Sequence, residues 1–284
     1  MSRVPTPDEV VSGSPAPPSR SVRAVAAYAF GAMLLRDLHV LTGEKGRFLV
    51  RTVSQPLLLV FVFTYVFPAI GQGLDTAGGR SFTDVLVPGV LAITVMIKGI
   101  QAVALPLVQE FGYTREIDDR VMAPLPVWAV ALEKIVAGAA QGLLGAVVVF
   151  PIVRLVPAQP PDLVISWGAL VAVCVLGPVV ASAFGLVLGT YFEPDTVPLM
   201  FSVIILPLTF LGATYYSWAD LGPIPWLQAA TLANPLVYIA EGFRLALTPH
   251  LPHMQPHVVF AALVVVAVVV SYAGVRGFQR RVLG

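Results

Sequence analysis

Residues 110–126 read EFGYTREIDDRVMAPLP. This charged stretch separates two long apolar runs, and the layout of the chain follows from it. Six of its side chains are charged, in a chain that is 57% hydrophobic and only 12% charged. Charge of this density cannot lie in hydrocarbon, because no water is present there to solvate it. We therefore predict that the stretch lies in water between two membrane spans, as a short amphipathic helix pressed against a surface at the membrane.

The composition predicts an all-α polytopic membrane protein. The apolar share exceeds the roughly 45–50% of ordinary globular domains, and the mean hydropathy is +0.84. Several runs reach the ~20 apolar residues that cross a bilayer. The net charge of +1 gives no sign of nucleic acid as a partner. The single cysteine, Cys174, lies in an apolar run and excludes an intrachain disulfide scaffold or a cysteine zinc site.

The apolar runs predict six transmembrane helices, at about residues 49–70, 85–108, 127–149, 163–191, 197–213 and 258–275. Residues 1–21 are rich in proline and serine and lack the apolar core of a signal peptide. They are predicted to be a disordered cytoplasmic tail before a single membrane domain at residues 22–284. Phe30 and Leu34 share a helical stripe near its start, which favours a helix in the membrane interface over a plain soluble helix.

The distribution of lysine and arginine predicts the orientation. If both termini are cytoplasmic, that side holds twelve of these residues and the outer side holds three. Positively charged loops remain preferentially in the cytoplasm. The charged stretch at residues 110–126 and a short loop with Glu193 and Asp195 are then both cytoplasmic.

Motifs for catalysis and metal binding are missing from the sequence. No G-x-x-x-x-G-K-[ST], H-E-x-x-H or G-x-S-x-G pattern occurs. The spans carry no paired carboxylates or histidines, which argues against an intramembrane enzyme. His250, His253 and His257 are close in sequence, but intervening prolines favour solvated surface histidines over a metal site. We predict no catalytic residue and no bound metal.

A few polar side chains inside the spans are candidates for a translocation path. Lys98 and Gln101 lie in the second span and Gln55 in the first. A charge within the membrane is a functional-site hypothesis by default, although Lys98 could instead have a structural role. Lys134, next to Glu133, is near the cytoplasmic end of its span and is predicted to extend to the interface as an anchor.

Small residues at helix-packing spacing occur in the third and fourth spans. Gly138 and Gly142 form one pair, and Gly185 and Gly189 form another. Such pairs allow two helices to approach closely, although glycine is also tolerated in membrane helices for other reasons.

Residues 211–247 predict a structured outer block between the fifth and sixth spans. Aromatic side chains of this block, Tyr216 and Trp226 among them, suit a membrane interface. Asn234 followed by Pro235 is a helix-start signal. The helix after it is too short and too charged to span, and Glu241 can pair with Arg244 on one face. We expect two short re-entrant helices that dip in from outside.

Two blocks resemble the permease subunits of the ABC-2 family of ABC exporters, near the daunorubicin and multidrug resistance branch. The first is EFGYTREIDDRVMAPLPVWAVALEK, and the second is LGATYYSWADLGPIPWLQAATLANPLVYIAEGFR. The matching positions of the second block are Gly212, Tyr216, Pro225, Trp226, Leu227, Gln228, Asn234, Pro235, Leu236, Tyr238 and Arg244. Ser217 departs from the pattern, because related sequences often have proline there.

This resemblance implies how the chain is driven. Residues 110–120 would form a coupling helix that docks on a separate ATP-binding subunit, of which the complex holds two copies. The coupling residues would be Glu110, Phe111, Gly112, Tyr113, Thr114, Arg115, Glu116, Asp118 and Arg120, with Glu193 and Asp195 in the second cytoplasmic loop. The chain itself would bind no cofactor and would not be an enzyme, since ATP and magnesium would bind the partner.

The resemblance also implies a setting and a cargo. Two permease chains, identical or related, would form a dimer in a bacterial plasma membrane and export a drug, antibiotic or lipid-like compound. A permease of the same family for polysaccharide or glycolipid is one alternative. An ATP-independent transporter or channel that uses Lys98 is another.

Overall fold

The computed structural model describes residues 28–37, 45–70, 81–114 and 126–283, which contain helices and no strand. The helices are α1 (residues 28–37), α2 (Lys45–Phe61, continued by a π-helical turn at Val62–Val66 and a helical turn at Phe67–Ala69), α3 (Phe82–Gln109, continued by a π-helical turn at Glu110–Thr114), α4 (Val127–Leu155), α5 (Trp167–Tyr191), α6 (Val197–Phe210), a 3₁₀-helix (Trp218–Leu221), α7 (Pro225–Thr231), α8 (Pro235–Leu247) and α9 (Pro256–Leu283).

Several helices start where the local sequence favours it. The Ser81 hydroxyl accepts a hydrogen bond from the amide of Thr83 and caps α3. The Asn234 side chain accepts one from the amide of Leu236, and Pro235 occupies the first turn of α8. These are standard N-cap arrangements, which satisfy amides that have no partner within the helix. The predicted Asn-Pro helix start is therefore confirmed.

Within the described residues, five helices are long and apolar enough to cross a membrane. They are Phe48–Ala69, Phe82–Gly112, Val127–Leu155, Trp167–Tyr191 and Pro256–Leu283. The predicted fifth span at residues 197–213 corresponds to α6, which has 14 residues. At 1.5 Å per residue that helix is about 21 Å long, less than the ~30 Å of the hydrocarbon core. The helix ends early because the chain turns at Ala213, which has a left-handed backbone (φ 52°).

Helix α3 is the centre of the bundle and contacts α4, α5 and α8. Close approach depends on the predicted glycines. A Cβ on Gly185 of α5 would lie 2.6 Å from the carbonyl oxygen of Ile100, and a Cβ on Gly138 of α4 would lie 2.5 Å from Cγ2 of Val103. Both pairs therefore lie at helix contacts where a larger residue would displace the neighbouring helix.

Helices α2 and α6 lie at the edge of the bundle. Helix α2 is antiparallel to α3, since the rings of Phe63 and Phe82 are 5.9 Å apart and Lys98 contacts Arg51. Helix α6 exposes large apolar side chains, including Leu206. We call the end of the bundle that holds Gly112 the lower end and the end that holds Phe82 the upper end.

Some predicted features fall outside the described residues. These are the tail at residues 1–21, most of the coupling stretch (Arg115, Glu116, Asp118 and Arg120) and the C-terminal part of the first amphipathic segment. The part of that segment that is described is helical, and Phe30 packs against buried side chains of the bundle.

Replacing Gly185 by alanine should lower the stability of the bundle. The added methyl group overlaps the backbone of α3, and overpacking of this kind costs about 1–3 kcal/mol. Gly168→Ala is the matched control, because Gly168 is in the same helix and has open space around it. Melting temperatures in detergent measure the effect, and equal melting of the two variants would contradict the packing role of Gly185.

Candidate functional site

The lower end brings two predicted loops together. The chain leaves α3 through the π-helical turn at Glu110–Thr114, and a Cβ on Gly112 would lie 2.9 Å from Cβ of Pro194. Pro194 lies between Glu193 and Asp195, whose side chains are exposed. The structure thus places the beginning of the charged stretch directly against the second predicted loop. A displacement of residues 110–114 would therefore also move the loop around Pro194.

Glu110 lies inside the bundle and forms a buried ion pair. Its carboxylate accepts from Nζ of Lys134 at 2.8 Å through one oxygen and lies 2.7 Å from it through the other. Lys134 is 4% exposed, so the prediction that it extends to the interface is wrong. The reason is that a carboxylate on the neighbouring helix supplies the partner that water would otherwise have provided. Glu110 thus ties the base of the charged stretch to α4.

Helix α9 completes the lower end. The rings of Phe111 and Phe278 meet edge to face with centroids 6.0 Å apart, and the guanidinium of Arg281 lies 4.7 Å from the centroid of Phe111. Arg281 also donates to the carbonyl oxygens of Gly189, Thr190 and Phe192, the last at 2.6 Å. These carbonyls belong to the C-terminal end of α5, where a cation is favoured by the helix dipole. Phe111 therefore connects α3 to the ends of α5 and α9.

We use the name lower cluster for Glu110, Phe111, Gly112, Lys134, Pro194, Phe278 and Arg281. The first three were predicted from the sequence as coupling residues, whereas the contacts of the other four were not predicted. Arg281 was counted only for the orientation of the chain, and Phe278 and Pro194 carried no pattern of their own. Pro194, Phe278 and Arg281 contact residues 82 or more positions away, which a local pattern does not record, and Lys134 contacts Glu110 across 24 positions.

Two of the three predicted path residues line one cleft between α2 and α3. Gln55 and Lys98 are in its wall, together with Arg51, Thr52, Thr94 and apolar side chains. Lys98 donates to the carbonyl oxygen of Arg51 at 3.0 Å. Gln101, one turn further along α3, is not among the lining residues. The empty space in and in front of the cleft, about 350 Å³, includes space that is open to the surroundings.

The upper end is organised by Glu241 and Arg244 of α8, which are both fully buried. They form the predicted ion pair. Arg244 also donates to the carbonyl oxygens of Ala213 at 3.1 Å and Tyr216 at 3.2 Å. Because these carbonyls belong to the loop after α6, the arginine fixes that loop on α8.

The carboxylate of Glu241 fixes two further segments. It accepts from the amide of Trp218 at 3.0 Å and from the amide of Met254 at 2.7 Å. Ser217 closes the same region, since its hydroxyl donates to the carbonyl oxygen of Pro252 at 2.6 Å and its amide donates to Asp220. A proline at position 217 would have neither donor.

The remaining predicted residues of the outer block take local roles. The Asn234 side-chain amide donates to the carbonyl oxygen of Leu208 and joins α8 to α6. The hydroxyl of Tyr238 donates to the carbonyl oxygen of Leu232, and that of Tyr216 donates to Phe210. Trp226 differs from these residues, because its side chain is 72% exposed.

Comparison with known proteins places these observations in a family context. Residues 28–248 match the family described as ABC-2 type transporter. Inner membrane transport permease YadH of Escherichia coli strain K12 is 30% identical over 203 residues, which cover 70% of this chain and 76% of that protein. The protein of the same name from Shigella flexneri shows the same identity and coverage.

Replacing Arg244 by methionine should strongly destabilise the upper end. Breaking a buried ion pair from one side leaves an uncompensated charge, which costs about 3–5 kcal/mol. Melting temperature and protease sensitivity of the loop after α6 measure the effect. Arg280→Met, at an exposed position of α9, is the control, and equal behaviour of the two variants would contradict the role assigned to Arg244.

Replacing Lys134 by methionine should destabilise the lower end, while the double variant Glu110→Gln with Lys134→Met should recover part of the loss. The single change leaves the Glu110 carboxylate buried without its cation, whereas the double change removes both charges. Arg154→Met, on an exposed position of the same helix, is the control. Additive losses in melting temperature would show that the two residues do not act as a pair.

Proposed function

We propose that this chain, which belongs to the ABC-2 type transporter family, is the membrane permease of an ATP-driven exporter. It lies in the inner membrane of a bacterium with both termini and the lower end in the cytoplasm. The observation that carries the proposal is the contact between the charged stretch and the loop around Pro194 at one end of the bundle. That arrangement offers a single surface on which a soluble motor protein could act.

The motor is an ATP-binding subunit, present in two copies, that holds ATP and magnesium. The chain has no P-loop and contributes no catalytic residue to hydrolysis. Residues 110–120 form the coupling helix that docks on this subunit, with Glu193 and Asp195 at the rim of the contact. The mixed charge of the stretch suits a surface that must bind and release a soluble partner.

The lower cluster explains how a push on the coupling helix would move the spans. Glu110 is paired with Lys134 of α4, and Phe111 contacts Phe278 and Arg281 of α9. Force on residues 110–114 would therefore act on α3, α4 and α9 together. Rigid helices joined by packed contacts are the usual carriers of such coupling.

A second permease chain completes the transporter. Helices α2 and α6 carry exposed apolar side chains, including Leu58 and Leu206, which support an interface with a second copy or a related chain. The export path runs along this interface and past Gln55, Lys98 and Gln101. At the upper end, α7 and α8 are the two re-entrant helices, and α6 forms a shortened fifth span, so that the chain has six spans in all.

The cargo is a hydrophobic or amphipathic compound, such as a drug, an antibiotic or a lipid-like molecule. This agrees with the resemblance to the multidrug and daunorubicin branch and with the apolar walls near α2. A polysaccharide or glycolipid is the other cargo class of the same mechanism.

Reversing the charge at Glu116 and Asp118 should uncouple ATP hydrolysis from export. The double variant to lysine is compared with Asp162→Lys, an exposed carboxylate at the upper end of the bundle, where the Asp162 amide donates to Asp84. Inverted vesicles that contain the chain and its co-purified ATP-binding subunit are assayed for ATP-dependent uptake of a lipophilic dye and for hydrolysis. We expect uptake to fall at least about tenfold in the double variant and to be unchanged in the control.

Unchanged uptake in the double variant would contradict the proposal that residues 110–120 dock on the ATP-binding subunit. Uphill uptake by the chain alone, without the ATP-binding subunit or ATP, would replace the whole proposal by an ATP-independent transporter.

A further inference from the structure

We infer that the cleft between α2 and α3 binds the anionic headgroup of an amphiphile whose tail lies along the apolar part of the same cleft. This inference deepens the proposed function, on which it rests, by naming the charge and the shape of the cargo. Its support is the order of polar and apolar side chains along the cleft walls.

The lower part of the cleft is cationic and polar. Lys98 donates to the carbonyl oxygen of Arg51, and the two positive charges are close enough to repel one another. Gln55 is one helical turn above Arg51 on the same wall. Among the described residues that line the cleft there is no aspartate or glutamate. Arg51 is exposed and Lys98 is partly buried, and these two adjacent cations attract an anion that enters the cleft.

Thr52 supplies an independent observation. Its side chain is fully buried, and its hydroxyl has no hydrogen-bond partner among the described residues. Buried hydroxyl groups are nearly always hydrogen-bonded, so an unpartnered one in a cleft wall indicates a group that binds there. Thr52 lines the same cleft as the two cations, and its hydroxyl would donate to the same anion.

The upper part of the same cleft is apolar. Leu59, on α2, faces Val90 and Ile93 on α3. Since α2 and α3 are antiparallel, these residues all lie above the level of Arg51 and Lys98. The cleft therefore has a cationic end and a hydrocarbon end, which matches a molecule with an anionic head and an acyl or aromatic tail. With the lower end in the cytoplasm, the head would sit toward the inner leaflet, from which such a molecule could enter sideways.

The test measures binding to the purified full-length chain in detergent, without any ATP-binding subunit. The probes are dioctanoyl phosphatidic acid, dioctanoyl phosphatidylcholine with the same tails, and inorganic phosphate. We expect phosphatidic acid to bind at least about tenfold more tightly than phosphatidylcholine, because the extra net charge is recognised by two cations. Inorganic phosphate should fail to compete at the same concentration, because it lacks the tail.

Variants locate the site. Lys98→Met and Arg51→Gln should each weaken the binding of phosphatidic acid about tenfold or more, whereas Lys98→Arg should retain it. Thr52→Val should weaken binding severalfold without lowering the melting temperature, since the hydroxyl that it removes has no hydrogen-bond partner among the residues that the structure describes. Arg154→Gln, an exposed cation on α4, is the matched control and should bind normally.

Equal affinity for the two lipids would overturn the inference, as would normal binding by Lys98→Met and Arg51→Gln when both variants keep the melting temperature of the parent chain. Competition by inorganic phosphate at the lipid concentration would assign the cleft to a free anion and would also overturn it. Because the assay needs neither ATP nor a partner, these failures are separate from a failure of the motor-driven export tested above.

Discussion

The ion pair between Arg244 and Glu241 is the interaction on which the upper half of the molecule depends. A guanidinium enclosed by apolar helices is tolerated only when a carboxylate and carbonyl oxygens surround it. Arg244 obtains these oxygens from Glu241 and from the loop after α6, and Glu241 in turn accepts from the amides of Trp218 and Met254. One pair on α8 thus fixes three segments that would otherwise have no reason to meet.

The same constraint acts at the lower end with different consequences. The pair of Glu110 and Lys134 neutralises two buried charges, and Arg281 is held by the carbonyls at the end of α5. Here the bonded residues adjoin the charged stretch, so that the pair ties the base of that stretch to the interior of the bundle. Between the two ends, α3 is packed tightly against glycines of α4 and α5. A tightly packed helix moves as a unit rather than deforming, which suits the transmission of a displacement along its length.

The cleft between α2 and α3 differs from both ends. Each of the two buried pairs brings a cation and a carboxylate together within the chain, whereas the described residues of the wall that holds Arg51 and Lys98 include no carboxylate. Arg51 is exposed and Lys98 is only partly buried, so this wall can attract an anion without the cost of two fully buried charges. This contrast separates the cleft from the structural pairs.

The helical, membrane-spanning class follows from the amino-acid pattern, because hydrocarbon forces the backbone to satisfy its hydrogen bonds within helices and excludes a stretch as charged as residues 110–126. The start of α8 at Asn234 and the contact glycines follow from it too, since capping and small-residue spacing are local patterns. Three features are visible only in the folded chain: α6 is too short for a full span, Lys134 faces Glu110 rather than water, and Pro194 lies against Gly112. The physical reason is that a partner many residues away is supplied by folding, and the linear pattern around a residue holds no record of which distant side chain will neutralise or cover it.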